Sequence, residues 1–256
     1  MKGTDTMEMI SSAKNPRVLS WKSLRDRKGR DASGAFLVEG VRMVREALGS
    51  GLEVRAVLLR EDYVPSFRIP DGVPVYMLSE HAFSSVTDTR TPQGIAAVLS
   101  RRPLPLEGRK LLALDAVQDP GNVGTIIRTA DAAGFDGVIL GPECADLYSP
   151  KVLRSTMGSI FRMRFSFPEN LPAALAGFRS LGYSVLSSQL DGEPFFERKD
   201  VSDAFVLIIG NEGNGVSPAV QAEATHRLRL PMRGGAESLN AAVAAGIMMY
   251  DLMRNS

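Results

Sequence analysis

The stretch Val206-Leu-Ile-Ile-Gly210-Asn-Glu212-Gly213-Asn-Gly215 joins a run of branched apolar residues directly to a polar, glycine-rich loop. Runs of Val, Ile and Leu are typical of parallel strands buried on both faces, and such strands present ligand sites at their carboxyl ends. The loop offers open main-chain groups, one carboxylate and little side-chain bulk. We therefore predict that a flat or extended small molecule binds against the main chain here.

Two other stretches carry polar loops at predicted strand ends. The downstream stretch is Leu228-Arg-Leu230-Pro231-Met232, which leads into Glu237-Ser238-Leu239-Asn240. The upstream stretch is Asp119-Pro120-Gly121-Asn122-Val-Gly124-Thr-Ile-Ile-Arg128, which opens a predicted helix. Neither glycine cluster, at 210–215 or at 121–124, has the G-x-G-x-x-G spacing of dinucleotide-binding loops. The three loops therefore indicate a ligand site of another kind.

Arg128 is the candidate functional side chain on the upstream helix. It follows Asn122 by ~9 Å along a helix axis, and long helical side chains lean back toward the N-terminus. The guanidinium can therefore approach the strand ends where a ligand would bind. Capping preferences alone would also explain Asp119, Pro120 and Asn122, and an ordinary surface position would explain Arg128.

Strands and helices alternate along the C-terminal part of the chain. Predicted strands lie at 111–117, 137–140, 162–167, 183–187, 205–209 and 227–230. Predicted helices lie at 122–133, 149–159, 171–181, 218–224 and 238–253. This alternation is typical of a mainly parallel sheet that is covered by helices on both faces.

The N-terminal part has a separate α/β pattern. Predicted strands lie at 36–39, 54–59, 73–78 and 94–99, and predicted helices at 41–48 and 80–85. Pro103, Pro105 and Gly108 interrupt the pattern, which is typical of a linker. We therefore predict an N-terminal domain at 1–100, a linker at 101–109 and a C-terminal domain at 110–256.

The last predicted helix is apolar on nearly all sides. One stripe consists of Leu239, Val243, Gly246, Ile247 and Tyr250, and another of Ala241, Ala244, Ala245, Met248 and Leu252. Such a helix does not lie on a wet surface. Its small residues would allow close approach of a partner helix, so a homodimer is the preferred interpretation, and a central helix of the monomer is the alternative.

Composition excludes several classes of protein. With 256 residues and a net charge of +1, the chain suits one large or two modest domains and makes no overall electrostatic case for nucleic acid. Cys144 is the single cysteine, which excludes an intrachain disulfide and a cysteine metal cluster. The first residues lack the apolar core of a signal peptide, and no apolar run reaches membrane-spanning length. We expect a soluble, cytoplasmic protein.

A local basic cluster lies near the N-terminus, with Asp26 as its one acidic residue. Its cations are Lys14, Arg17, Lys22, Arg25, Arg27, Lys28 and Arg30. A solvated helix face would explain the cluster, because charge runs often have no further role. A cationic arm that contacts the phosphates of RNA is the sharper hypothesis.

Together the three loops resemble the motifs of the SpoU (TrmH-like) branch of the SPOUT RNA methyltransferases. The resemblance covers about Leu111 to Met253. Three N-terminal stretches are similar to the substrate-binding module often fused to that domain: Asn15-Pro16-Arg17, Arg27-Lys28 and Phe36-Leu-Val-Glu39-Gly40. One departure is Asn240-Ala241-Ala242-Val243, where relatives often carry larger or hydroxylated residues, and this affects packing more than chemistry.

The resemblance implies an α/β fold, with a small N-terminal α/β RNA-binding domain and a C-terminal SPOUT α/β domain that has a parallel sheet and a C-terminal trefoil knot. It implies methyl transfer from S-adenosylmethionine to a ribose 2′-hydroxyl of structured RNA, with ribosomal RNA as the favoured substrate. The alternatives are transfer RNA as substrate, a non-catalytic RNA-binding protein and a nucleotide-cofactor oxidoreductase. No metal is expected, because the methyl group on a sulfonium is already activated.

The family motifs also imply roles for particular residues. Positions implied to bind the cofactor are Gly210, Glu212, Gly213, Leu230, Met232, Ser238 and Leu239. Positions implied to serve catalysis are Asn122, Arg128, Glu212, Ser238 and Asn240. Because arginine stays protonated, we expect Arg128 to grip the phosphate beside the target ribose and to stabilise the developing alkoxide. His81 and His226 lie outside the motifs and are expected to be structural.

Overall fold

The computed structural model of this chain describes residues 8–101 and 105–254, which form two compact units. The first comprises the described residues before 102 together with Tyr148–Phe161. The second comprises the described residues from 105 to Leu147 and from Arg162 onward. Residues 102–104 of the predicted linker lie outside the described residues, and the domain boundaries 1–100, 101–109 and 110–256 stay a prediction.

Strands and helices are numbered in chain order. The strands are β1 Glu8–Ile10, β2 Ala35–Glu39, β3 Val54–Arg60, β4 Val75–Leu78, β5 Ile95–Ser100, β6 Lys110–Leu114, β7 Gly137–Leu140, β8 Arg164–Ser166, β9 Ser184–Pro194, β10 Phe205–Ile209 and β11 His226–Arg229. The helices are α1 Pro16–Ser23, α2 Arg27–Ser33, α3 Val41–Gly49, α4 Glu80–Val86, α5 Pro120–Ala133, α6 Pro150–Thr156, α7 Leu171–Ser180, α8 Pro218–Gln221 and α9 Ala241–Met253. Most differ from the predicted bounds by a few residues, where periodicity is least informative.

The first unit is built on a mixed sheet whose order, among the described residues, is β1-β4-β3-β5-β2. The pairs β1–β4 and β4–β3 are parallel, and β3–β5 and β5–β2 are antiparallel. Val18, Trp21, Leu58 and Phe83 share its hydrophobic core. Sequence periodicity did not predict β1, because a three-residue strand at the sheet edge is too short to show a pattern.

The segment Tyr148–Phe161 belongs to this first unit although it follows β7 in the chain. The ring of Tyr148 packs on Phe36 with centroids 4.9 Å apart, and Arg154 pairs with Asp88 at 3.0 Å. The sequence predicted one helix over 149–159. Instead α6 ends at Thr156, because Met157 and Gly158 both adopt positive φ angles (51° and 98°) and direct the chain into a short 3-10 turn.

The second unit contains the predicted parallel sheet. In the part that the structure describes, its order is β11-β9-β10-β6-β7-β8 and each neighbouring pair is parallel. Leu114 is paired with Ile209 at the carboxyl ends of β6 and β10. The loops that follow these two buried strands therefore begin at the same edge of the sheet, as ligand sites of parallel sheets require.

Helix α9 is apolar but only half-covered. It begins at Ala241 rather than at Ser238, because the side chain of Asn240 accepts hydrogen bonds from the main-chain N–H groups of Ala242 and Val243 and caps the helix there. One face is buried, including Ala245, Met248 and Met249. Val243, Ile247 and Tyr250 of the helix are exposed, as is Leu239 just before it. No helix among the described residues is long and apolar enough to cross a membrane.

Candidate active site

The loop after β10 is a tight turn closed on itself. Asn211 and Gly215 exchange both main-chain hydrogen bonds at 2.9 Å. The side-chain oxygen of Asn211 also accepts from the N–H groups of Gly213 and Asn214, at 2.9 and 3.0 Å. Gly215 has a φ of 67°, and a Cβ on Gly210 would overlap the main chain of Gly215. The glycines are therefore needed for this close backbone approach.

Two polar contacts join this loop to the end of β6. Asn211 Nδ2 donates to the carbonyl oxygen of Ala116 at 2.8 Å, and the N–H of Ser217 donates to the buried Asp115 carboxylate at 2.7 Å. Ala116 itself has a φ of 53°, a left-handed conformation that is uncommon for alanine. These contacts hold the two neighbouring loops in a defined arrangement.

Glu212 binds the upstream loop rather than a charged side chain. Its carboxylate accepts from the main-chain N–H groups of Gln118 (3.2 Å) and Asp119 (3.1 Å) and from Asn122 Nδ2 (2.9 Å). Burial by itself raises the pKa of Glu212, but the hydrogen bonds from Asn122 and the main chain prevail and hold the pKa below its usual value. Glu212 is therefore an ionised acceptor that fixes the start of α5.

Asn122 and Asn240 complete a chain of hydrogen bonds through all three motif loops. Asn240 Nδ2 donates to Asn122 Oδ1 at 3.0 Å, while Asn240 Oδ1 caps α9. Asn122 in turn donates to Glu212. The sequence predicted these three residues at one site, and in the structure Asn122 bridges Glu212 and Asn240.

A cavity of about 350 Å³ opens beside this network. All of the residues that were predicted to bind the cofactor line it: Gly210, Glu212, Gly213, Leu230, Met232, Ser238 and Leu239. Leu228, Ala244 and Met248 add apolar surface. The volume falls within the range of small-molecule sites, roughly 300–1,000 Å³.

One wall of this cavity was not predicted from the sequence. Strand β9 pairs Ser187 with Arg227 and then Glu193 with Leu228, so residues 188–192 bulge out of the ladder. Ser188, Gln189, Leu190 and Asp191 of this bulge line the cavity. The dipeptide Asp191-Gly192 was the one local signal, and by itself it indicates only a turn.

The cavity suits S-adenosylmethionine in shape and charge. Glycine-rich main chain at 210–215 allows a bent ligand to lie against peptide groups, and the leucines and methionines offer a surface for an adenine ring. Asp191 and Glu212 are carboxylates, and no lysine, arginine or histidine lines the cavity within the described residues. A cationic ligand therefore fits this site better than an anionic one.

Arg128 is exposed on α5 and is absent from the cavity lining. No hydrogen-bond or ion-pair partner of its guanidinium is present in the described part of the chain. Helix α5 packs on α9, where Gly246 lies close to Thr129. Glu212 and Ser238 line the cavity, and Asn122 and Asn240 are linked to it through the hydrogen bonds of Glu212. Arg128 takes part in neither the lining nor this network.

The basic cluster is mostly exposed, but Arg30 is an exception. Lys14, Lys22 and Lys28 are exposed, as are the three arginines Arg17, Arg25 and Arg27, which lie near carboxylates at Glu8, Asp88 and Asp31. Arg30 is 3% exposed and donates through Nη1 to the carbonyl oxygens of Leu24 and Arg25, both at 2.7 Å. The prediction that Arg30 contacts RNA is therefore wrong, because its guanidinium is used inside the first unit.

Neither histidine lines the cavity. The ring nitrogens of His226 form hydrogen bonds with Thr225 Oγ1 (2.8 Å) and with the carbonyl oxygen of Lys199 (3.1 Å), which are contacts within the second unit.

Cys144 is half-buried, and burial raises the pKa of its thiol to about 11. No group of three or more metal-ligating side chains is found in the part of the chain that the structure describes.

Two family models match the chain. The SpoU rRNA Methylase family matches residues 109–250, and the MRM3-like substrate binding domain matches residues 15–97. The two matches cover the second half of the chain and the N-terminal stretch that resembles a substrate-binding module, so the predicted resemblance is confirmed.

Relatives of similar length support the same assignment. The chain is 44% identical to the 23S rRNA (guanosine(2553)-2'-O)-methyltransferase RlmP of Bacillus subtilis, over 96% of this chain and 99% of the relative. It is similar to an AdoMet-bound rRNA methyltransferase from Sinorhizobium meliloti, with a TM-score of 0.86, 32% identity and coverage of 97% and 98%. A TrmH-family RNA methyltransferase from Porphyromonas gingivalis has a TM-score of 0.87 at 36% identity, over 95% and 99% of the two chains. The chain therefore belongs to the SpoU rRNA methylase family.

Proposed function

We propose that this protein transfers the methyl group of S-adenosylmethionine to the ribose 2′-hydroxyl of one nucleotide in 23S rRNA. Methyl transfer to RNA follows from the family, and the choice of 23S rRNA follows from the name of the Bacillus subtilis relative. The observation that carries the proposal is the cavity at the carboxyl edge of the parallel sheet, together with the Glu212–Asn122–Asn240 network beside it.

Some residues of the chain would hold the cofactor, and others would orient the ribose hydroxyl. S-adenosylmethionine supplies a methyl group that its sulfonium already activates for attack. The loop 210–215, Leu230, Met232 and Leu239 would hold this cofactor, largely through main-chain groups and apolar surface. Ser238 would hydrogen-bond the ribose hydroxyl. Asn122 and Asn240 each use one amide N–H within the network, so each retains a second N–H for the substrate.

Arg128 would act on the RNA rather than on the cofactor. Arginine is a poor base because its guanidinium stays protonated. It is well suited to bind a phosphate next to the target ribose with paired hydrogen bonds and to stabilise the alkoxide that develops on the hydroxyl oxygen. The proton would pass to the phosphate or to water.

A homodimer is part of this proposal. Val243, Ile247 and Tyr250 of α9, and Leu239 just before the helix, are exposed and apolar, which is typical of a surface covered by a partner. Arg128 lies outside the cavity of its own chain, so a second copy would bring it to the reacting ribose. A C-terminal trefoil knot is likewise proposed, on the basis of the family to which the chain belongs.

The N-terminal cations would select RNA. Lys14, Arg17, Lys22, Arg25, Arg27 and Lys28 are exposed on or next to α1 and α2, and the family model over 15–97 describes a substrate-binding domain. The rRNA assignment is favoured over transfer RNA by the Bacillus subtilis relative. A non-catalytic RNA-binding protein would not need the cavity. A cytoplasmic location is also proposed, supported by the Bacillus subtilis relative, which is named for methylation of 23S rRNA.

The decisive experiment is to incubate the full chain with tritium-labelled S-adenosylmethionine and separately with 23S rRNA or bulk transfer RNA. We expect label on 23S rRNA, at a ribose that reverse transcription maps to one guanosine. Label on transfer RNA alone would reject the substrate, and no label on any RNA by a protein that binds the cofactor would reject the activity.

A further inference from the structure

The two carboxylates of the cavity are in different chemical situations. Glu212 already accepts three N–H groups from Gln118, Asp119 and Asn122. Asp191 is exposed at the cavity wall and has no hydrogen-bond or ion-pair partner among the described residues. Asp191 is therefore the carboxylate of this cavity whose oxygen atoms accept no hydrogen bond from the described residues and are available to a ligand.

The fold holds Asp191 in place through the glycine that follows it. A Cβ on Gly192 would overlap the main-chain atoms of Arg227 and Leu228, so β11 crosses directly against this residue. Leu228 itself lines the cavity. The bulge of β9 therefore packs against β11, and Asp191 of the bulge and Leu228 of β11 line the same cavity.

We propose that Asp191 is a specificity-determining residue that makes the cavity prefer the cationic methyl donor over the spent product. The proposal rests on the proposed function. In methyl transfer the bond between sulfur and the methyl carbon breaks, a bond between that carbon and the ribose oxygen forms, and the hydroxyl proton leaves to phosphate or water. The sulfonium thereby becomes a neutral thioether, so donor and product differ in charge at sulfur alone.

The negative charge of one carboxylate can distinguish a sulfonium from a neutral thioether. At a separation of about 10 Å in a partly exposed site, a Coulomb interaction changes the ratio of two dissociation constants by roughly two- to tenfold. The product carries the same adenosine and amino-acid groups but lacks the sulfonium charge. Weaker retention of the product would favour its exchange for fresh donor after each turnover.

The test measures binding rather than activity. Calorimetry on the full chain would compare S-adenosylmethionine, S-adenosylhomocysteine and sinefungin, which carries a positively charged amine in place of the methylsulfonium. We expect Asp191→Asn to weaken the two cationic ligands by about two- to tenfold and to change the affinity for S-adenosylhomocysteine by less than twofold. High salt should shrink the wild-type preference in the same direction.

Two control variants separate charge from structure. Asp191→Glu keeps the charge and should keep the preference. Glu193→Gln removes a charge two residues along the same strand, outside the cavity lining, and should also keep it. An unchanged preference in Asp191→Asn, or an equal loss for all three ligands, would overturn the inference. A wild-type protein that binds none of the three would overturn the proposed function instead.

Discussion

The side-chain amide of Asn240 donates to the side-chain oxygen of Asn122 at 3.0 Å, across 118 positions of sequence. Asn240 also caps α9, and Asn122 also donates to Glu212. One hydrogen bond thus ties the start of α9 to the start of α5, and the loop after β10 is joined to both. The three loops are held as one unit, which is the condition for preorganised catalysis.

Asn240→Ala should reduce methylation far more than it reduces stability. The loss of the cap costs about 1 kcal/mol of unfolding free energy, whereas the loss of the contact with Asn122 loosens the active site and should lower kcat by about tenfold or more. Denaturant unfolding and steady-state methylation measure the two effects. Asn170→Ala is the matched control, because Asn170 caps α7 in the same manner, away from the cavity. Equal activities of the two variants would contradict the prediction.

Arg128→Ala should abolish methylation and leave the cofactor bound normally. Loss of an interaction that stabilises developing charge costs about 10²–10³ in kcat, while the cavity lining does not include Arg128. Arg128→Lys should restore little, because lysine cannot bind a phosphate with two parallel hydrogen bonds. Calorimetry with S-adenosylhomocysteine and single-turnover assays on RNA would measure both quantities. A fully active Arg128→Ala protein would refute the role.

The Glu212 network should weaken in acid. The folded chain holds the pKa of Glu212 below its usual value of ~4.3, so folding favours the carboxylate. This contribution to stability is present above the usual pKa and is lost as pH falls through the lower, folded-state pKa. We expect the Tm of Glu212→Gln to change less than that of the wild type over the same acid range. Parallel curves for the two proteins would show that the network adds no pH-dependent stability.

Substitutions of the lysines of the basic cluster should affect RNA binding, whereas substitution of Arg30 should affect stability. Lys22→Ala combined with Lys28→Ala should weaken RNA binding uniformly and reduce the slope of log K against log salt by about one per lysine, with little change in Tm. Arg30→Met should lower the unfolding free energy by about 1–3 kcal/mol, because the carbonyl oxygens of Leu24 and Arg25, one buried and one partly buried, lose their donor. The slope of log K against log salt should be the same for this variant as for the wild type. A reduced slope would show that Arg30 does contact RNA.

The exposed face of α9 should control the oligomeric state. Val243 and Tyr250 are each more than half exposed in one chain. A glutamate at either position would bury an unpaired charge in a dimer, so Val243→Glu and Tyr250→Glu should sediment as folded monomers. Leu181→Glu is the control, because Leu181 is 75% exposed elsewhere on the second unit. A wild-type protein that sediments as a monomer at micromolar concentration would reject the dimer.

Local patterns were sufficient for much of the second unit. The apolar runs of β6, β7 and β10 predicted buried parallel strands, and Asp119, one of the residues with a capping preference, caps α5. The three motif loops were predicted to form one cofactor site, and all of the predicted cofactor positions line a single cavity. The strands and the cap depend on residues within one turn or one strand of each other, whereas the common cavity depends on the order of the strands in the sheet.

Other features depend on contacts that no local pattern encodes. Arg30 looks like its exposed neighbours in sequence, and only the packing of α2 buries it. The bulge at 188–192 arises where β11 crosses Gly192, which lies 35 residues before Arg227. Tyr148–Phe161 joins the first unit through contacts with Phe36 and Asp88, far away in the chain.

The amino-acid sequence by itself determined the class of fold and the polar loops at the strand ends, because strand burial, helix capping and glycine-dependent turns are set by neighbouring residues. The family was indicated by the resemblance of the three loops to known motifs. Only the tertiary structure decided that Asn122 binds both Glu212 and Asn240, that Asp191 lies at the cavity wall, and that Arg128 is not part of the cavity lining. Those relationships follow from which strands and helices meet in space, and side-chain distances across such contacts cannot be read from spacing along the chain.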